Sequence, residues 1–262
     1  MNVVVSKEQF INSYRRKCNG IKVSQQVEWL PLFVSNELSE LVGCILSDGS
    51  IEHSYTGTYR PKRIDFISPN KSIQKRIRYI LQKIFKVKPE EHYFRDTLGL
   101  RIKNANIARV IWLCGIPMGD KTSQEYDVPS WIKNGTQDIK SFFLRAYFDG
   151  DGSKPYKIHK SKASFGIRLT LNKTQNKIKS GITFLNSIKN ILREFGIESL
   201  GPYQRKICYR KNGTKTIMLE LIICRQNSVL NFNKYINFHK PEKKKMLNSC
   251  VQNITLNYNP RK

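Results

Sequence analysis

Two stretches of this sequence are built alike. Leu41-Val42-Gly43-Cys44-Ile45-Leu46-Ser47-Asp48-Gly49 is an apolar run that closes on an acid and a glycine. Leu144-Arg145-Ala146-Tyr147-Phe148-Asp149-Gly150-Asp151-Gly152 repeats the form in the second half of the chain, and Ser50 and Ser153 follow the two glycines. In each stretch the third and seventh positions are small: Gly43 and Ser47, then Ala146 and Gly150. On a helix, residues four apart share a face. Small residues on such a face let two helix backbones approach closely. A helix pair joined through Gly43, Ser47, Ala146 and Gly150 would bring Asp48 and Asp151 to the same end. Helix C-termini carry partial negative charge, and neighbouring carboxylates repel. The arrangement therefore calls for a cation, and hard oxygen donors favour Mg²⁺.

The elements around the two runs follow one order. Ser35 or Asn36 caps the first helix, with Glu37 and Glu40 in its first turn, where the dipole favours acids. Strands are expected at 51–59 and 63–68 about an Arg60-Pro61-Lys62 turn. An amphipathic helix is expected at 71–85, then strands near 92–95 and 98–103 and a helix at 105–114. Residues 116–135 hold Pro117, Gly119, Pro129 and Gly135 and read as a linker. Thr136 caps the second motif helix. A strand at 164–171 follows, then a helix at 174–195. Strands at 203–210 and 214–224 flank Asn212-Gly213, a two-residue hairpin signal. A helix near 228–238 precedes a loose basic tail. Each half thus reads helix–strand–strand–helix–strand–strand–helix. The fold class is α+β, with a basic extension at 1–34, repeats at 35–115 and 136–240, and a tail at 241–262. Asn70-Lys71-Ser72 and Asn172-Lys173-Thr174 form a second echo, each reading as the start of the middle helix of its repeat.

The chain has 46 Lys and Arg against 20 Asp and Glu, a net charge of +26. That excess repels itself unless a polyanion relieves it, so nucleic acid is the expected partner. No apolar run approaches the ~18 residues of a membrane span. The 6 cysteines lie far apart, with no C-x-x-C pair. A zinc ribbon or finger is therefore disfavoured, and a reducing compartment is expected. The 4 histidines lack ligand spacing. Asn-, Lys- and Ile-rich composition points to an AT-rich genome, so the expected setting is an organelle or a prokaryotic cytoplasm.

The two runs resemble the paired LAGLIDADG signatures of homing endonucleases in the single-chain form. Pro129-Ser130-Trp131-Ile132 ahead of the second run is similar to intein-type and intron-encoded members. The resemblance covers about residues 36–240. Three positions depart from the pattern: Leu46 stands for the first acid of the motif, Cys44 for a leucine and Ala146 for the helix-contact glycine. The resemblance implies two pseudo-twofold αββαββα repeats whose four-stranded antiparallel sheets form a DNA-binding saddle, with the motif helices at the centre. It implies that Asp48 and Asp151 hold Mg²⁺ (with Mn²⁺ able to substitute) at the scissile phosphates. The carbonyls of Ser47 and Gly150 would complete the ligation, and Asn70, Lys71, Asn172 and Lys173 would stand near the cut. The implied product is a double-strand break with short 3′ overhangs, made by a monomer encoded in an intron.

Two-stranded ribbons fit the major groove, where base edges are readable. Arg63, Arg101, Arg168 and Thr170 alternate away from the core, and Arg205, Lys206, Arg210 and Lys215 surround the Asn212-Gly213 hairpin. These eight are the candidate DNA contacts. Two alternatives stand beside the endonuclease: a maturase that binds its own group I intron RNA, and a non-catalytic DNA-binding protein on the same scaffold. Met1 and the Asn259–Lys262 end argue against a free-standing intein.

Overall fold

The computed structural model describes residues 2–54, 60–158, 164–210 and 212–257. Two compact units emerge. One holds the chain through Lys121 together with Pro129–Phe143, and the other holds Thr122–Val128 and the chain from Leu144 onward.

The first unit opens with an extension made of β1 (Val3–Val5), α1 (Lys7–Asn12), α2 (Lys17–Gln26) and β2 (Leu32–Phe33), with β1 antiparallel to β2. Trp29 docks the extension, its ring lying 5.6 Å from Phe10 and 5.4 Å from Phe85. Motif helix α3 (Asn36–Asp48) follows. Its start is as expected: the Ser35 hydroxyl accepts from the Leu38 N–H, and Leu38, Leu41, Val42 and Ile45 are buried. Then come β3 (Gly49–Ser54), β4 (Arg60–Phe66), α4 (Lys71–Phe85), β5 (Glu90–Phe94), β6 (Thr97–Ile102) and α5 (Ala105–Leu113). The four strands form one antiparallel sheet in the order β3-β4-β6-β5. Ile51, Ile64, Phe66, Leu100 and Ile102 from the sheet are buried, as are Ile73, Ile77, Ile80 and Leu81 of α4. Buried Glu40 takes two hydrogen bonds from Arg76 Nε and one from its Nη2, tying α3 to α4.

The segment expected as linker carries a 3₁₀ turn, Lys121–Ser123, and short helix α6 (Ser130–Lys133). Motif helix α7 (Gln137–Asp151) begins in the first unit, where the Ile139 carbonyl accepts a 2.6 Å bond from the Ser39 hydroxyl of α3. It ends in the second.

The second unit continues with β7 (Tyr156–Lys157), β8 (Phe165–Thr174), α8 (Ile178–Glu194), β9 (Leu200–Tyr209), β10 (Lys215–Ile223), α9 (Gln226–Asn231), a π-turn (Phe232–Ile236) and α10 (Pro241–Asn257). Its sheet runs β7-β8-β10-β9, again first, second, fourth and third strand. The same strand order in both units makes them the two repeats expected of an α+β chain. Ile167, Leu169, Leu171, Leu219 and Leu221 are buried together with Phe184, Leu185 and Ile188 of α8.

Four local expectations are corrected. Arg60, Pro61 and Lys62 are not a turn but the first residues of β4, with Pro61 opposite His53 at a bulge. The end of the expected 51–59 strand lies outside the described residues, as does His159. The hairpin near Asn212-Gly213 is longer than two residues. Arg210 and Thr214 close it by an N–H to carbonyl bond of 3.0 Å, and Gly213 takes the positive φ of 78°. Asn172, Lys173 and Thr174 do not open a helix: β8 runs through Thr174, and α8 begins only at Ile178. The basic tail is not loose either. It forms α10, whose Lys243, Leu247, Cys250 and Ile254 are buried on one stripe. A lysine in that stripe hides its helical period from the sequence.

Among the described residues no helix is long and apolar enough to cross a membrane.

Candidate nuclease half-sites and nucleic-acid interface

Asp48 and Asp151 are the last residues of α3 and α7, and both are partly exposed. The glycine after each follows from close approach. A Cβ on Gly49 would lie 2.8 Å from the Ile45 Cα, and one on Gly152 would lie 2.4 Å from the Phe148 carbonyl oxygen. The Asp48 carbonyl accepts from the Ile67 N–H at 3.1 Å, which fixes the end of α3 against the end of β4.

Beneath each aspartate the helix turns its last carbonyls outward, and those of Ile45 and Phe148 already accept from the N–H groups of Gly49 and Gly152. A lysine fills each cage. Lys121 Nζ donates to the carbonyls of Ile45 at 3.0 Å, Leu46 at 2.5 Å and Ser47 at 2.9 Å. Lys243 Nζ donates to Phe148 at 2.9 Å, Asp149 at 2.7 Å and Gly152 at 2.5 Å. Two of the three contacts match, since Phe148 and Asp149 stand where Ile45 and Leu46 do in the motif, while the third is Ser47 in one cage and Gly152 in the other. A cation at a helix C-terminus is favoured by ~0.3–2 kcal/mol, and it offsets the negative field of the helix end beside each aspartate.

Different devices aim the two lysines. After α5 the chain returns along β3: Met118 bridges Ile51, and the Gly119 N–H donates to the Ile51 carbonyl at 2.8 Å. That puts Lys121 under α3. Lys243 lies in the first turn of α10, whose approach is held by Asp149. The buried Asp149 carboxylate accepts from the His239 N–H at 2.8 Å and the Lys240 N–H at 3.0 Å. Burial raises the Asp149 carboxyl above the usual range, against the opposing pull of those two backbone bonds. Asp149 is therefore a structural acid.

Of the residues expected to complete the site, Ser47, Asn70 and Lys173 make other contacts. The Ser47 carbonyl is taken by Lys121, and the Ser47 hydroxyl bonds back to the Gly43 and Cys44 carbonyls, both at 3.1 Å. Gly43 and Ala146 are buried, while Gly150 is partly exposed. Asn70 is the N-cap of α4, its side chain accepting from the Ile73 N–H at 3.1 Å, and Lys71 lies exposed on the first turn. Asn172 is exposed on β8. Lys173 is fully buried, with Nζ 2.6 Å from the Gln124 carbonyl and 3.8 Å from the centroid of the Tyr126 ring. It follows Leu169 and Leu171 on the core face of β8 and ties that strand to 122–128. The Asn-Lys echo thus joins a helix cap to a strand interior, and Lys173 is not a catalytic group.

The basic strand residues are organised by two acids. On the first sheet Asp65 is clamped by Arg63 Nε at 3.0 Å and by Arg101 through Nε at 2.7 Å and Nη2 at 2.9 Å. Burial alone would raise the Asp65 carboxyl, but the hydrogen bonds and charges of Arg101 and Arg63 hold it below its usual range. On the second sheet Glu220 binds Arg168 and Arg205, and Thr170 sits directly opposite it. The guanidiniums remain partly exposed while both carboxylates are 5% exposed or less. Each sheet therefore presents two arginines locked in position by one buried acid. Lys206, Arg210 and Lys215 are exposed at the far end of the β9–β10 hairpin.

Residues 138–237 match the family model for a LAGLIDADG-like domain. The second half of the chain therefore carries a LAGLIDADG-like domain. The tRNA-splicing ligase RtcB of Pyrococcus furiosus is 29% identical over 170 residues, 64% of this chain and 17% of that protein. RtcB of Methanocaldococcus jannaschii is 29% identical over 240 residues, 83% of this chain and 24% of that protein. The replication factor C small subunit of the same organism is 32% identical over 141 residues, 54% of this chain and 7% of that protein. The chain thus spans under a quarter of the length of these relatives. Among solved structures, full-length DUF199/WhiA from Thermatoga maritima has a TM-score of 0.49 at 15% identity, covering 88% of this chain and 64% of that one. I-DmoI in complex with its target DNA in the presence of Mn has a TM-score of 0.48 at 13% identity, covering 77% and 94%. The homing endonuclease I-WcaI bound to its DNA recognition sequence has a TM-score of 0.45 at 16% identity, covering 93% and 98%. These likenesses concern chain fold.

Sequence reasoning missed the residues that support the two motif helices: Lys121, Lys243 and the structural role of Asp149. Lys243 sits in a lysine-rich run and nothing local marks it out. Asp65 and Glu220 did leave a signal. Each is an acid between buried apolar strand neighbours, Ile64 and Phe66 or Leu219 and Leu221, in a chain with only 20 acids.

Proposed function

We propose that this LAGLIDADG protein is a site-specific DNA endonuclease that hydrolyses one phosphodiester on each strand. The observation that carries the reading is the matched pair of half-sites, in which each motif helix ends on an aspartate above a carbonyl cage filled by a lysine. The module is separable from the activities in its relatives' names, since proteins named as a ligase and as a replication factor subunit both match it over a small share of their length. Ligation is therefore not carried over.

The donor set fits Mg²⁺. Each half offers the carboxylate that ends its motif helix, and among the described residues no three His, Cys, Asp or Glu are gathered. Mg²⁺ is commonly held by one or two carboxylates, with water and substrate phosphate completing the shell. Asp48 and Asp151 would hold it; the Ser47 carbonyl already accepts from Lys121. When bound, the metal supplies an activated water and charge neutralisation at the phosphate. The chain's own residues do the rest. Lys121 and Lys243 offset the helix-end field, so a phosphate can approach the two carboxylates. The arginine pairs on Asp65 and Glu220 meet the duplex as preset donors, with Thr170 between strands, and bidentate arginine contacts to guanine are worth ~1–3 kcal/mol of discrimination each.

The test is cleavage of DNA that spans the gene's own insertion site, with Mg²⁺ and with EDTA. Mg²⁺-dependent linearisation that disappears in an Asp48→Asn, Asp151→Asn double variant supports the reading. Duplex binding without cleavage under any divalent metal would leave a DNA-binding protein instead.

A further inference from the structure

A cavity of about 310 Å³ lies in the first unit, lined by Tyr14, Arg15, Arg16, Asn19, Arg60 and Arg109. The turn between α1 and α2 supplies the first three, α2 the fourth, the start of β4 the fifth and α5 the last. No acid lines it. Four guanidiniums brought together in this way repel one another unless an anion joins them.

Arg109 is the residue that makes this a built site. It is 7% exposed, so its guanidinium has left bulk water. Its Nη1 donates to the Ser13 carbonyl at 2.6 Å, and its Cζ stacks 4.0 Å from the centre of the Tyr14 ring. Tyr14 is fixed in turn by a 2.6 Å bond from its hydroxyl to Asn106. The Arg109 Nε is buried and has no hydrogen-bond partner among the described residues. A buried donor left unmade costs ~1–3 kcal/mol, more when charged. Arg109 therefore stands at the wall of the cavity with one edge satisfied and one donor open. Arg15, Arg16 and Arg60 are exposed around it. Planar guanidinium forks match phosphate oxygens bidentately. The arginines that Asp65 holds on the sheet are a separate set, so the cavity adds a second basic surface to the first unit.

We propose that this arginine cavity seats a backbone phosphate of the nucleic-acid duplex, giving the chain a contact contributed by its N-terminal extension and separate from the sheet. The proposal rests on the nucleic-acid partner of the proposed function but not on cleavage. Cys18 provides a native probe, because it is exposed on α2 and its Sγ lies 3.8 Å from Asn19 Oδ1 at the cavity rim.

The experiment uses the full chain, with and without saturating duplex DNA, and follows Cys18 alkylation by peptide mass mapping. It is repeated on an Arg15→Gln, Arg16→Gln, Arg60→Gln variant, which changes only exposed residues. Duplex should slow Cys18 alkylation several-fold in the native chain and not in the variant. The slope of log affinity against log salt should fall in the variant by about 1–2, as loss of one or two phosphate contacts requires. Inorganic phosphate and pyrophosphate are tested in parallel at matched ionic strength. Protection by these alone, with the duplex slope and duplex protection unchanged between native and variant, would overturn the assignment to a backbone phosphate. Duplex bound with Cys18 unprotected would also overturn it while leaving the proposed function standing. No duplex binding even at low salt would instead sink the nucleic-acid reading itself.

Discussion

The ammonium of Lys121 stands 2.9 Å from the carbonyl oxygen of Ser47, the residue immediately before Asp48. Under the second motif helix Lys243 donates to the carbonyls of Phe148 and Asp149, the counterparts of Ile45 and Leu46, and to that of Gly152, the residue after Asp151. A fixed cation thus sits beside each of the two acids that the sequence marks out. The helix end alone would be a poor place to collect a carboxylate and a phosphate, because both add negative charge to a negative dipole end. With the lysine in place the same position suits both.

Replacing either lysine by methionine keeps the stem and removes the charge. Cleavage of the strand served by that half should fall by about 10²-fold or more, the scale of losing a preorganised electrostatic donor, while duplex affinity changes only a few-fold. Lys243→Met should also lower stability by ~1–3 kcal/mol, because buried carbonyls lose their donor. Strand-specific nicking assays and chemical denaturation read the two effects separately. Undiminished cutting of both strands by Lys121→Met would remove the lysine from the site.

Asp48→Asn and Asp151→Asn should each leave duplex binding intact and convert a double-strand break into a nick or nothing. A labelled duplex resolved on a denaturing gel checks this, with the uncut strand differing between the two variants. If both variants linearise DNA at the native rate, these acids are not the reacting carboxylates.

Asp149 lies two residues from Asp151, yet its role is to hold the chain that delivers Lys243. Asp149→Ala should destabilise the second unit by ~1–3 kcal/mol through two unpaired backbone N–H groups. Because burial raises its carboxyl in the fold, the ionised form is the disfavoured one there. Its titration therefore removes stability as pH rises from the ordinary carboxylate range through the higher folded-state value. Denaturation midpoints of native and Asp149→Asn protein across that window should converge toward low pH, where the native side chain is also neutral.

Much of the fold was legible in the sequence. The duplicated run fixed two halves, α4 is bounded as expected at 71–85, and Ser35 and Thr136 sit where caps were expected. What stayed hidden had physical causes. Strand β8 carries a buried lysine on its core face, so Lys173 looked like a solvated helix start beside Asn70-Lys71. A buried lysine likewise interrupts the apolar stripe of α10. Lys121 and Lys243 reach their carbonyls from far along the chain, and no spacing rule links them to Asp48 and Asp151. Arg63, Arg101 and Arg168 were legible by alternation, but the acids that lock them pair with arginines on neighbouring strands, and strand register is not written in local sequence.

The Lys173 correction yields the sharpest contrast with the sequence-based expectation. Were Lys173 a catalytic lysine, Lys173→Met would abolish cutting with little effect on stability. The buried site predicts the reverse. Losing the 2.6 Å bond to the Gln124 carbonyl and the stacking on Tyr126 should cost ~1–3 kcal/mol. At a temperature where the variant is still folded, cutting should remain within a few-fold of the native rate. Lys71→Met, on an exposed first turn, should be nearly silent in both. Parallel thermal denaturation and cleavage assays of the two variants decide the matter. A folded Lys173→Met protein that cannot cut would return this lysine to the active site.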